Sequence, residues 1–327
     1  MATCVFRSPL AARLQAFLEA RRAGQRGVSN QKILLYLDRF LTHETKPGQP
    51  VTREVVERWV ESMKHLSPGT RVNRIGVMRQ FCTYLAHFDP RTCIVYRNCV
   101  PRRSRLAPHI YTTIEVRDIM AAARKLGPPG SLRPVVISTL IGLLYATGLR
   151  IGEALNLTLA DIDLKRRVIE VREGKFGKSR YVPISPSTSS HLAAYLRRRQ
   201  KAGFSTAATA PVFLNVIGTR HGHPGFVTVF LEILRDLGVR GPKGERGPRI
   251  HDLRHTFAVN RLLAWYRGGS HLGAKLPLLS TYLGHSTVTG TEVYLHATAQ
   301  LLESAGKRFH SYFADPPGAK GTTHDKD

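Results

Sequence analysis

The sequence contains few cysteines, few acidic residues and no long apolar run. Its four cysteines, among 327 residues, show no CxxC spacing, which excludes a zinc ribbon and a disulfide framework. The longest apolar stretch, 135–146, carries Ser138 and Thr139 and falls short of the roughly 18–20 residues that a membrane span requires. Residues 1–10 lack the apolar run of a secretory signal. We therefore expect a cytoplasmic protein with reduced thiols and no membrane partner.

The shortage of acidic residues leaves a large positive charge. Lys and Arg number 49 against 23 Asp and Glu, which gives a formal net charge of +26. Residues 1–105 hold 19 of the basic and 7 of the acidic side chains, so a single basic tail does not explain the total. The usual polyanion for such a protein is nucleic acid, and a two-part clamp around duplex DNA fits the distribution. The alternative is a solvated basic surface without a partner.

Length and composition predict two globular domains, since 42% of the residues are hydrophobic and a domain takes roughly 150 residues. Apolar residues repeat at helical spacing in four segments of 1–89, which predicts a small helical bundle. Residues 90–111 match no period and contain Arg102, Arg103 and Arg105. We interpret 90–111 as a basic interdomain linker that either follows a phosphate backbone or is simply solvated.

The second domain, 112–314, is predicted to be mixed, and 315–327 is predicted to be a disordered tail. Alternating residues at 168–171 and 180–184 flank a Gly-rich turn and predict a β-hairpin. Gly148 is expected to end a helix as a left-handed cap. The fold class is therefore mainly α with a small β-sheet, a helical N-terminal bundle followed by an α+β domain. Helices of this domain are expected at about 112–125, 131–147, 187–202, 225–238, 251–266, 277–283 and 291–313.

Arg150 is the first candidate for a functional residue. It follows a Gly-terminated turn at the start of a helix, where free backbone N–H groups and a guanidinium together suit a phosphate. Glu153 lies three residues on, on the same helix face, and can hold the guanidinium in place. By itself, such a pair is usually a surface ion pair.

The predicted hairpin turn carries Lys175, Lys178 and Arg180. A lysine on such a turn can reach into a DNA groove, and its ammonium can give a proton to a leaving alkoxide. The alternative is an ordinary solvated turn.

His251, Arg254 and His255 lie at a predicted helix start and allow two interpretations. The i,i+4 histidines with Asp252 resemble an HExxH zinc pattern. Arg254 would, however, place a permanent positive charge beside the metal. In the second interpretation Arg254 binds a phosphate while His251 donates a hydrogen bond or moves a proton, which uses the same residues better.

A Leu-Gly-His element ends at His285, and Tyr294 follows nine residues later. Between Val293 and Leu295, this tyrosine by itself reads as a half-buried core aromatic. With Arg150, Lys175, His251-x-x-Arg254 and His285 in this order, however, the sequence resembles the tyrosine recombinase (phage integrase) family over about 110–310. Residues 1–89 resemble that family's core-DNA-binding domain more loosely.

The run Leu-Pro-x-Leu-Ser-x-Tyr-Leu-Gly-His is similar to transposon-borne integrases. Residues 266–277 are longer than in common members, and we interpret them as an enlarged loop.

The resemblance implies roles for individual residues. Tyr294 would be the nucleophile, and Arg150 and Arg254 would bind the scissile phosphate. Lys175 would be the general acid, His251 and His285 would assist, and Glu153 would support the first arginine. The side chains that we expect to contact DNA are those of Arg102, Arg103, Arg105, Lys178 and Arg180.

The reaction implied is site-specific recombination by an integrase or transposase. It cuts and rejoins duplex DNA through a covalent 3′-phosphotyrosine, without metal, ATP or other cofactor. The lack of a GxxxxGK[ST] run agrees with this. The resemblance also implies a homotetramer on two DNA sites, possible help from accessory proteins, and a bacterial cytoplasmic location on the nucleoid. The alternatives are relaxation of DNA in the manner of a type IB topoisomerase, and a catalytically silent DNA-binding protein of the same fold.

Overall fold

The computed structural model describes residues 5–23, 31–95, 107–172 and 179–284, together with Thr287, Thr291 and Tyr294. The chain divides into two compact units, 1–106 and 107–327. Among the helices of the described ranges, none combines the length and the apolar composition that crossing a bilayer requires.

The N-terminal unit contains the four helices that the apolar spacing predicts. Leu14, Leu37 and Phe81 lie on three of these helices and are completely buried in a shared core. Ser67 caps the last helix and Pro68 occupies its first position, where a missing N–H costs nothing. The helices are α1 (Ala11–Ala23), α2 (Gln31–Glu44), α3 (Arg53–Glu61) and α4 (Pro68–Leu85).

The C-terminal unit combines helices with a small antiparallel sheet, so the predicted fold class is confirmed. Its helices are α5 (Thr113–Ala123), α6 (Arg133–Thr147), α7 (Ile151–Asn156), α8 (Pro186–Lys201), α9 (His223–Asp236), α10 (Ile250–Arg267) and α11 (Leu272–Leu283). The strands are β1 (Ile162–Asp163), β2 (Val168–Val171) and β3 (Arg180–Pro183), in the order β1-β2-β3. The two-residue β1 is too short to leave a periodic signal in the sequence, and it was not predicted.

Helix α6 packs against α5, α8 and α10, and its Ile137, Leu140 and Ile141 are fully buried. It ends at Gly148, whose φ of 62° and ψ of 19° give the predicted left-handed cap. Arg150, two residues further on, is the N-cap of α7. The end of this buried helix therefore fixes where Arg150 lies.

The pairing of β2 with β3 fixes the position of Arg180, the first residue of β3. Strand β2 pairs with β3 so that Val171 lies opposite Arg180 and Ile169 opposite Val182. Arg180 and the fully buried Val182 share one face of β3, because alternate residues of a strand point the same way. Arg180 therefore points toward the protein interior.

The prediction of an enlarged loop over 266–277 is wrong. Helix α10 continues to Arg267, and α11 already begins at Leu272, so only 268–271 connect the two helices. Pro277 suggested a helix start, yet it lies inside α11. The loss of one backbone donor there is compatible with the helix, whose residue Leu276 is buried in the core.

Candidate active site

Arg150 and Glu153 pair at the start of α7. The Arg150 backbone N donates to Glu153 Oε2 over 3.0 Å, and Arg150 Nη1 donates to Glu153 Oε1 over 2.7 Å. Glu153 thus caps the helix and holds the guanidinium, as its i,i+3 spacing predicts.

Three guanidinium groups converge on the C-terminal end of α11, where Gly284 ends the helix with a φ of 67°. The last carbonyls of a helix lack partners within it and carry partial negative charge, so they attract cations. We call Arg150, Arg180 and Arg254 the arginine cluster. Its contacts run from Arg180 Nε to Tyr282 O (2.8 Å), from Arg254 Nη2 to Leu283 O (2.6 Å) and from Arg150 Nη2 to Gly284 O (3.0 Å).

Arg254 is the most buried member of the cluster, with 2% of its surface exposed. Its Nη1 also donates to the carbonyl oxygen of Gly148 over 2.7 Å, so it joins the caps of α6 and α11. Burial, together with the positive charge of Arg150, lowers the pKa of Arg254 to about 10. Arg254 therefore remains charged at neutral pH.

Glu153 is shared between two members of the cluster. Arg180 Nη2 donates to Glu153 Oε2 over 2.8 Å and Arg180 Nη1 to Oε1 over 3.2 Å, beside the bond from Arg150. Burial alone would raise the pKa of this carboxyl, but the hydrogen bonds from Arg180 and Arg150 outweigh it and hold the pKa at about 2. One carboxylate thus faces three guanidinium groups, and the surplus positive charge suits an anion.

Tyr294 lies against this cluster. Only 3% of its surface is exposed, and it packs among Phe257, Leu262 and Leu283. Burial raises the pKa of the Tyr294 phenol, while the charge of Arg254 opposes that rise. The hydroxyl is therefore both shielded from water and next to a permanent positive charge.

His251 and His255 stand on one side of α10 with their rings perpendicular and 4.8 Å apart. The ring of His255 also lies 5.3 Å from that of Tyr294. The imidazole of His251 reaches solvent, but desolvation by the surrounding atoms and the nearby charges of His255 and Arg254 lower its pKa to about 4. Desolvation, helped by Arg249 and Arg254, also lowers the pKa of His255 to about 4. Both rings are therefore neutral at pH 7.

The zinc interpretation of this helix start gains no support. The carboxylate of Asp252 accepts a hydrogen bond from the Arg249 backbone N over 2.8 Å and is committed to capping α10. Within the described residues, no group of three His, Cys, Asp or Glu side chains is placed to hold a metal.

Residues 111–300 match the model of the phage integrase family. The chain belongs to this family. It is 35% identical to the putative integrase/recombinase y4rB of Sinorhizobium fredii, over 92% of this chain and 97% of the relative. It is 25% identical to tyrosine recombinase XerD of Halalkalibacterium halodurans, over 91% and 97% of the two chains. The Tn1549 transposon integrase, solved in complex with transposon right end DNA, shares the fold with a TM-score of 0.65 at 19% identity, over 91% of this chain and 99% of that chain.

Membership of the phage integrase family gives the class of reaction. The tyrosine recombinases of this family cleave and religate DNA, and the homologues are site-specific recombinases and integrases. Relaxation of supercoils and catalytic silence are not favoured as alternatives.

The structure brings together only part of the set of residues expected in this integrase. Arg150, Glu153, His251, Arg254 and Tyr294 lie around one site, joined by the contacts given above. Lys175, Lys178, His285, Arg102, Arg103 and Arg105 lie outside the described residues. Their expected roles therefore stay predictions.

Arg180 occupies a place that the sequence did not suggest. It was expected to contact DNA, yet its side chain is 11% exposed and its guanidinium is bonded to Glu153 and Tyr282. The strand alternation, which places it on the same face as Val182, could have indicated this. The sequence could not indicate that backbone carbonyls of α11 bind the arginine cluster, because every residue has a backbone carbonyl.

Proposed function

We propose that Tyr294 is the nucleophile of a site-specific DNA recombinase, an integrase or transposase, and that it forms a 3′-phosphotyrosine with the cut strand. The observation that carries this proposal is the burial of the Tyr294 phenol under the charge of Arg254, beside a cluster of three guanidinium groups and one carboxylate. A phenol beside surplus fixed positive charge is where an incoming phosphate and an attacking oxygen can meet.

The proposed roles of the arginines follow from their donors. A guanidinium has five N–H donors, and the contacts within the described residues use two or three of them on Arg150 and Arg254. Donors therefore remain for the non-bridging oxygens of the scissile phosphate. Because the carbonyls and Glu153 fix both groups in advance, they need no reorganisation when charge develops in the transition state.

In the proposed chemical step, neither a metal ion nor ATP takes part. Tyr294 loses its phenolic proton and its oxygen bonds to phosphorus, while the bond from phosphorus to the 5′ oxygen breaks. Lys175 is proposed to give a proton to that 5′ oxygen. His251, neutral at pH 7, can accept a proton at the site, and His285 is proposed to assist. The new ester keeps the energy of the broken one, so attack by a 5′ hydroxyl reseals the strand.

The test uses a nicked duplex taken from the DNA that flanks the gene. The nick lets the fragment with the 5′ hydroxyl diffuse away, which traps the covalent complex. We expect a denaturant-resistant protein–DNA adduct with the natural chain, and none with Tyr294→Phe, whose duplex binding should be unchanged.

Tyr282→Phe is the matched control. Tyr282 is also partly buried near the cluster, but among the described residues its hydroxyl makes a single long bond, 3.4 Å, to the carbonyl oxygen of Pro183. It should form the adduct. Adduct formation by Tyr294→Phe would contradict the assignment, and tight DNA binding without any adduct would favour a silent DNA-binding protein.

Duplex DNA is the proposed partner, which the net charge of +26 and the DNA-bound Tn1549 integrase support. We also propose a homotetramer on two DNA sites and action on the bacterial nucleoid, as the family resemblance implies. Accessory recombination proteins are a further proposed class of partner.

A further inference from the structure

We infer that Arg180 is a positioning residue of the recombination site, which acts through Glu153 and the end of α11 rather than by contact with DNA. This inference rests on the proposed function of Tyr294, Arg150 and Arg254. It reassigns a side chain that composition and position alone would place among the DNA contacts.

The first observation is that Arg180 uses three of its five N–H donors inside the protein. Nη1 and Nη2 bind the two oxygens of Glu153, and Nε binds the carbonyl oxygen of Tyr282. Three donors in a rigid fork thus join strand β3 to α7 and to α11. At 11% exposure, the guanidinium is poorly placed to follow a DNA backbone.

The second observation is how Arg180 shares Glu153 with Arg150. Without Arg180, the carboxylate would keep Arg150 as its one cationic hydrogen-bond partner in the described site. The carboxylate could then rotate toward Arg150 and neutralise it. With Arg180 in place, both oxygens are fixed, and Arg150 keeps one short bond to Oε1. Arg180 therefore sets both the direction and the residual charge of Arg150.

The third observation is the close approach of Arg180 to Gly284. A Cβ on Gly284 would come within 2.8 Å of Arg180 Nη1 and 3.0 Å of its Cζ. The guanidinium therefore lies close to the turn that ends α11, and the carbonyls of Leu283 and Gly284 in that turn accept hydrogen bonds from Arg254 and Arg150. Moving Arg180 would therefore move the carbonyls that orient both phosphate-binding arginines.

The experiment separates positioning from DNA contact by measuring binding and chemistry apart. On the nicked duplex, Arg180→Gln should lower the first-order cleavage rate at saturating DNA by about a hundredfold, the effect of misplacing catalytic groups by about an ångström. Its dissociation constant for DNA and the salt dependence of that constant should match those of the natural chain. Arg180→Lys should recover part of the rate, because it restores the charge but not the fork.

The dependence of the cleavage rate on pH distinguishes a positioning role from a general loss of structure, because a loss of structure alone would not shift it. Glu153 faces Arg150, Arg180 and Arg254, and the hydrogen bond from Arg180 is the largest influence lowering its pKa. In Arg180→Gln the pKa of Glu153 should therefore rise. The cleavage rate should then begin to fall at a higher pH than in the natural chain as the solution is acidified.

The matched control is Arg172→Gln, which removes the same charge from the same hairpin. Arg172 is 55% exposed and pairs with Asp161 and Glu170, away from Glu153. Its cleavage rate at saturating DNA and its pH profile should be unchanged.

Three results would overturn or redirect the inference. Weaker binding by Arg180→Gln, with a salt slope shallower by about 0.9 and a normal saturated rate, would make Arg180 a phosphate contact. A lost rate with a lowered melting temperature, no recovery in Arg180→Lys and no pH shift would make it purely structural. Absence of an adduct from the natural chain would instead contradict the proposed function itself.

Discussion

Glu153 is a buried side chain that binds two of the three arginines at this site. Its two oxygens receive three guanidinium bonds and one backbone bond. The i,i+3 spacing was enough to predict the pairing with Arg150, because that contact is local. The pairing with Arg180 spans 27 residues across the hairpin and could not be predicted, since no local period encodes it.

Glu153→Gln should destabilise the C-terminal unit in a pH-dependent way. The pKa of Glu153 falls from 4.5 to about 2 on folding, so its stabilisation is present above pH 4.5 and lost as the pH falls toward 2. Glutamine mimics the protonated form at every pH. The free energy of unfolding should drop by about 3 kcal/mol at pH 7, and the difference should shrink below pH 4.5.

The measurement is urea unfolding followed by Trp265 fluorescence in a Trp59→Phe background, so that the signal comes from the C-terminal unit alone. Glu170→Gln serves as the control, since its pair with Arg172 is exposed and contributes about 0–1 kcal/mol. An equally small effect of Glu153→Gln at all pH values would show that the carboxylate is not held as described.

At the scale of elements, the site depends on where α6 and α11 end. Both ends are left-handed glycines, and the sequence predicted Gly148 because a glycine directly follows an apolar run. The start of α11 was missed because Pro277 reads as the beginning of a helix. Leu276 and Leu279 pack into the core, and this packing favours a helix that already begins at Leu272. Local sequence patterns do not report tertiary packing of this kind.

Gly284→Ala tests the end of α11 against a matched glycine. Gly238 has a φ of 68°, close to the 67° of Gly284, but a Cβ there would meet nothing within 4 Å. Gly238→Ala should cost only the left-handed strain, about 1–2 kcal/mol, and should leave cleavage unchanged. Gly284→Ala should cost about 1–3 kcal/mol more and slow cleavage, because Arg180 must shift. Melting curves and single-turnover cleavage check both variants. Equal behaviour of the two would contradict the contact with Arg180.

At the scale of the whole molecule, sequence reasoning succeeded where signals are local or compositional. It predicted the fold class, most helices and the family from the order of a few motifs. The assembly of the site from α7, β3, α10 and α11 could not be derived in this way, since Arg150 and Gly284 meet across 134 residues. The resemblance to a family indicated which distant residues share one site, and hydrophobic periodicity could not indicate this.

The net charge of +26 predicts a strong effect of salt on DNA binding. A protein that contacts about six phosphates loses roughly a thousandfold or more in affinity between about 50 and 200 mM salt. We expect such a slope in fluorescence-anisotropy titrations with duplex DNA. Tyr294→Phe should have the same slope, because the phenol contributes no charge to binding. An affinity that does not change with salt would show that the basic surface is not the DNA contact.

The most direct test of the account is to locate the bond itself. The adduct trapped on nicked DNA is digested with nuclease and protease, and the peptides are sequenced by mass spectrometry. We predict a nucleotide phosphate attached to the peptide that contains Tyr294, at the tyrosine oxygen. A modification found instead on Tyr282, or on any residue other than Tyr294, would contradict the account.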